Sequence, residues 1–111
     1  MLQLDMTAYT DDLEKPVKII MDYVDRDLSL FTAQLVDAYT TLSWRQSLCL
    51  YACSDHASFN RSGYAAAHTF EPVTCPEIHQ TGDDLDLIVW PLLEQFILYA
   101  IGYAIEMSFG P

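Results

Sequence analysis

The chain has 111 residues, 16 of them Asp or Glu and 5 Lys or Arg, giving a formal net charge of -11. Its length fits one domain over residues 1–111, and a hydrophobic content of 51% excludes intrinsic disorder despite the charge. The charge also excludes unaided nucleic-acid binding, which needs Lys and Arg to displace counterions from phosphate.

Charged residues total 19%, below the ~25% usual for soluble domains, so the chain is short of bases more than crowded with acids. Residues 1–40 carry a net -5, residues 41–70 a net +1, and residues 71–111 hold seven acids and no base. Met1 to Asp5 lacks the basic segment and long apolar core of a signal peptide. Cys49, Cys53 and Cys75 are an odd count, read as reduced thiols in a cytoplasm, that of a host cell if the protein is phage-encoded.

In chain order, residues 1–10 read as a tail or a short edge strand. Asp11, Asp12 and Glu14 suit a helix start, and Val17, Ile20, Met21 and Val24 recur at helical spacing, so a helix is expected to end near Asp25. Asp27 or Ser29 can cap a second helix from Leu28 to Cys53, with a break allowed near Thr40-Thr41. Residues 54–82 have loop character, marked by Gly63, Glu71-Pro72, Cys75-Pro76 and Thr81-Gly82. Asp83-Asp84 can open the last helix. Pro91 either kinks that helix or begins it after a separate element over Leu85–Trp90. Gly110-Pro111 reads as its stop.

The expected fold is therefore all-α, a compact bundle of three main helices with an irregular Cys/His-containing segment between the second and third. The alternative is α+β, with residues 1–6 and 69–74 as strands. The stretch Leu85 to Ile105 is long enough to cross a bilayer, but Glu94 and Gln95 near its middle and the absence of basic flanks point to a buried helix and no membrane.

Four constellations could carry chemistry. Cys49, Cys53, His56, His68, Cys75 and His79 fall within 31 residues. A structural zinc on Cys49, Cys53, Cys75 and His79 would order the loop; packed thiols and surface imidazoles are the alternative. Cys53 or Cys75 beside His56 or His79 lacks the local signature of a nucleophile. Asp22, Asp25 and Asp27, and Asp83, Asp84 and Asp86, read as solvated helix starts more readily than as an acid–base pair. The aromatic content of 13%, with seven Tyr, offers interface area. No residue is assigned a catalytic role.

These readings converge on a non-enzymatic binding protein: an inhibitor that blocks the basic, nucleic-acid-binding surface of a partner protein through Asp22, Asp25, Asp27, Asp83, Asp84 and Asp86. It resembles phage anti-restriction and anti-CRISPR inhibitors and toxin-immunity proteins in size and charge only. The alternatives are a self-associating structural protein, dimeric through its last helix, and a zinc-stapled regulatory domain.

Overall fold

The computed structural model describes residues 1–110. Its elements run β1 (Leu2–Leu4), β2 (Val17–Ile20), α1 (Arg26–Tyr39), β3 (Trp44–Ser47), α2 (His56–Arg61), β4 (Ala67–Phe70), a 3-10 turn (Leu85–Leu87) and α3 (Trp90–Phe109). The four strands form one sheet in the order β1-β4-β2-β3. β1 is parallel to β4 and β2 to β3, while β2 and β4 run antiparallel.

This mixed sheet with helices corrects the all-α expectation. The helix expected to end near Asp25 does not form. Val17 to Ile20 is a strand whose Val17, Ile19 and Ile20 are all buried. A short strand covered on both faces loses its alternation, and three β-branched residues in four favour the pleated state. The helix expected over 28–53 also stops early. α1 ends at Tyr39, with Thr40 as its cap, and β3 follows at Trp44. The strands sit closer to the α+β alternative, whose segments 1–6 and 69–74 overlap β1 and β4.

Two helices cover one face of the sheet. Val17 and Ile19 of β2 pack with Ala33, Leu35 and Val36 of α1 and Leu92, Phe96 and Tyr99 of α3. At roughly 1.5–3 kcal/mol per large apolar side chain removed from water, this cluster is the main stabilising unit. Asp25 caps α1 by accepting the Leu28 N–H at 2.8 Å. Pro91 is the second residue of α3, where a missing N–H costs nothing, and the 3-10 turn before it is the separate element. Gly110 caps α3; Pro111, the other half of the expected stop, lies outside the described residues.

α3 is not buried on most sides. It is long and apolar enough to cross a membrane by length and composition. It buries Leu92, Phe96, Tyr99 and Gly102 against its neighbours and leaves Ile97, Leu98, Ile101 and Ile105 exposed. The other face of the sheet carries Lys18, Ile20, His68 and Phe70 and is covered by α2 and loops.

Candidate active site

Side chains alternate across a strand, so the neighbours of core-facing Val17, Ile19 and Thr69 point the other way. There they help to line a cavity of about 380 Å³. Lys18, Ile20 and Phe70 form its floor, with Leu48, Tyr51 and Ile78 as further apolar or aromatic wall. The polar groups are Asp5, directly after β1, His79 and Asp83 from the 71–84 loop, Ser47 and Thr74. Cys49 and Cys53 complete one side.

The backbone is strained around this cavity. Met6 (φ 61°), Leu50 (φ 71°) and His79 (φ 61°) occupy the left-handed region, as does Tyr23 (φ 57°). Met6 and His79 line the cavity, and Leu50 sits between the lining residues Cys49 and Tyr51. Each such non-glycine residue costs about 1–2 kcal/mol and persists only where other bonds dictate it.

Those bonds come from buried or half-buried acids. Glu71, 2% exposed, accepts the N–H groups of Ala8 (3.2 Å), Tyr9 (2.8 Å) and Cys75 (3.2 Å). Its own N–H donates to the Met6 carbonyl at 2.9 Å. One residue thus ties the segment after Asp5 to the segment before His79. Burial pushes the Glu71 carboxyl above the usual range, against the lowering effect of its N–H donors. Asp22 does the same for the third wall, accepting the N–H groups of Cys49 (2.9 Å) and Leu50 (2.7 Å). The Asp5 carboxylate accepts from Ser54 Oγ at 2.7 Å.

Beneath the cavity, His56 and His68 stack with ring centroids 4.6 Å apart. Burial holds both below the ordinary histidine range, His68 at about 4. His68 Nδ1 lies 4.0 Å from Cys53 Sγ.

The expected zinc set is not assembled. Cys49 and Cys53 are joined in a disulfide, so they are neither reduced thiols nor thiolate ligands. The closeness of Cys49, Cys53 and His68 is the closeness of that bridge to a buried imidazole. Cys75 is free and buried behind the cavity, its Sγ 4.0 Å from Asp83 Oδ1. His79 alone of the four remains an available donor on the cavity. The six aspartates scatter. Asp22 and Asp25 bind backbone, Asp84 caps the 3-10 turn by accepting the Asp86 N–H at 3.0 Å, Asp27 and Asp86 are exposed, and Asp83 borders the cavity. Asp5 and Lys18 were missed as site residues. The signal for Asp5 was a lone acid closing the alternating run Leu2-Gln3-Leu4.

A family model described as Peptidase family M28 matches residues 1–104. The chain belongs to peptidase family M28. It is 38% identical over 113 residues to a probable leucine aminopeptidase of Arthroderma otae, covering 99% of this chain and 30% of that protein. It is 34% identical to leucine aminopeptidase 1 of Aspergillus fumigatus, covering 100% of this chain and 31% of that protein. The crystal structure of the LapA aminopeptidase of Legionella pneumophila superposes with a TM-score of 0.92 at 37% identity, over 99% of this chain and 31% of that one. LapB of the same organism gives a TM-score of 0.92 at 26% identity, over 98% of this chain and 31% of that one. The chain thus spans about a third of the length of these M28 relatives.

Membership of a peptidase family overturns the inhibitor reading, and with it the non-enzymatic assignment, the phage anti-defence and toxin-immunity classes, and the basic nucleic-acid-binding partner. The net charge misled because many acids are committed locally. Asp22, Asp25, Glu71 and Asp84 all accept backbone N–H groups.

Proposed function

We propose that this chain is part of a zinc-dependent aminopeptidase, forming the pocket for the N-terminal side chain of a peptide and contributing Asp5 and His79 to the metal centre. The observation that carries the reading is one cavity bearing both a carboxylate and an imidazole, His79 itself and Met6 next to Asp5 being held in strained backbone. Such strain is typical of functional sites.

The donor chemistry fits zinc, which takes carboxylate oxygen and imidazole nitrogen. Two donors do not make a centre. The remaining ones would come from the part of an M28 fold that this chain does not span. When bound, zinc would polarise the scissile carbonyl and lower the pKa of a bound water. This chain's residues do the positioning: Ser54 orients the Asp5 carboxylate, Glu71 sets the register of the two donor segments, and Asp22 with the disulfide holds the wall. Ile20, Leu48, Tyr51, Phe70 and Ile78 offer apolar surface to a substrate side chain.

Two further features support the reading. β1 has β4 on one edge and is the end strand of the sheet. Beside it, Leu4, Leu93, Phe96, Ile97 and Ile101 line an apolar groove. An open edge and an exposed apolar stripe on one side suit continuation of the sheet and helix layer by the rest of an M28 fold. The Cys49–Cys53 bridge fits an oxidising compartment better than a reduced cytoplasm.

The test is hydrolysis of leucyl p-nitroanilide by the natural polypeptide that carries this sequence. Activity should vanish with a chelator and return with zinc. Asp5→Asn and His79→Ala should each cost more than the ~100-fold typical of losing an outer-shell partner. Full activity after chelation, or in either variant, would overturn the assignment.

A further inference from the structure

Lys18 is the one Lys or Arg in the cavity wall. It stands mid-strand in β2, paired with Phe70 of β4 on one side and Arg45 of β3 on the other. Its ammonium lies 5.2 Å from the Phe70 ring centroid. In a chain with 16 acids and 5 bases, a half-buried lysine would be expected to hold an acid. It does not: among the described residues the only ion pair is Lys15–Asp11. The acids bordering the cavity face other groups, Asp5 the Ser54 hydroxyl and Asp83 the Cys75 thiol. Burial, and then the charge of Arg45, hold the Lys18 ammonium below the ordinary lysine range, against a smaller opposing pull from the Glu71 carboxylate, which makes no ion pair with it.

We infer that Lys18 makes the cavity selective for an acidic N-terminal side chain, with glutamate or aspartate as the residue removed. The inference rests on the aminopeptidase reading and adds the substrate class.

The register supplies the geometry. Asp5 follows Leu4, which pairs with Thr69 of β4, and Lys18 lies on the far side of β4. Two strand spacings, about 10 Å, therefore separate the backbone at the metal end from that at Lys18. A substrate whose amino end sits by Asp5 and His79 would lay its side chain across Phe70, with methylenes on apolar wall and carboxylate at the ammonium. A charge-assisted bond in a half-desolvated pocket is about twice as strong as a neutral one. A leucyl side chain would occupy the same walls and leave the ammonium unpaired.

The test compares kcat/KM for glutamyl and leucyl p-nitroanilides with the natural polypeptide. These substrates have no C-terminal carboxylate, so a preference reports the side chain alone. Glutamyl substrate should be cleaved more efficiently than leucyl. Lys18→Met should shift the glutamyl-to-leucyl ratio by about tenfold or more toward leucyl, and Lys18→Glu further, whereas Lys18→Arg should retain the preference. Competitive inhibition of the unaltered enzyme by free glutamate against free leucine reads the same preference without any variant, and glutamate should bind more tightly. Leucyl substrate cleaved as efficiently as glutamyl or better, tighter inhibition by leucine, or a ratio unmoved by Lys18→Met would overturn the selectivity while leaving the aminopeptidase reading intact. No cleavage of any aminoacyl substrate would overturn both.

Discussion

His56 of α2 and His68 of β4 stack ring on ring, 4.6 Å between centroids, and both are sealed from solvent. The two rings join α2 to the sheet directly beneath the cavity. Their protonation is therefore coupled to the integrity of the site.

Burial, and next the adjacent His56, depress His68 from an ordinary 6.5 to about 4, and burial depresses His56 as well. The unfolded chain takes up protons near pH 6.5 that the native pair refuses. Stability from this pair is thus fully present above about pH 6.5 and is lost as pH falls toward 4. For His68 the full loss is at most about 3 kcal/mol. Melting temperature should drop across this window, and His68→Phe should flatten the drop. A profile as steep in the variant as in the parent would count against the neutral pair.

Glu71 is the second point of vulnerability. Glu71→Gln keeps the size but replaces one acceptor oxygen with a donor, leaving at least one of the N–H groups of Ala8, Tyr9 and Cys75 unpaired. The expected destabilisation is about 1–3 kcal/mol, seen as a lower denaturation midpoint with unchanged slope. Hydrogen exchange at Tyr9 and Cys75 should quicken more than in α1. Unchanged protection at both amides would refute the role given to the carboxylate.

Gly102 of α3 lies against the Tyr39 ring of α1. A Cβ there would meet the Tyr39 ring at 2.7 Å, and that ring is held by its hydroxyl donating to Glu106 at 2.7 Å. Gly to Ala inside a helix usually gains up to about 1 kcal/mol. Here the clash should outweigh that gain, and Gly102→Ala should melt lower than the parent. Combined with Tyr39→Ala, the same change should become neutral or favourable relative to Tyr39→Ala alone. A stabilised single variant would show that the seam is looser than the contacts imply.

The parts of the fold legible in the sequence are those with local causes. The break allowed near Thr40-Thr41 is where α1 ends, and Pro91 sits in the first turn of the last helix, whereas α1 starts at an Asp25 cap and not at the expected Asp27 or Ser29. The strands are short and owe their state to partners. Val17–Ile20 is covered on both faces and mimics a helix in its spacing. Trp44–Ser47 has three polar residues in four and is extended because β2 pairs with it. In the site, His79 was in view through its chemistry. Asp5 fell in a segment read as a tail or a short edge strand, because its importance lies in β1 being brought beside β4 across 62 intervening residues. Cys49 and Cys53 fall within the helix expected from Leu28 to Cys53; a loop folded by Asp22 brings their sulfurs together instead.

The position of Asp5 also bears on where the rest of the proposed metal centre lies. It stands one residue beyond a strand whose outer edge is open. On the reading proposed here, whatever pairs with that edge extends the sheet and carries in the missing donors with the same movement.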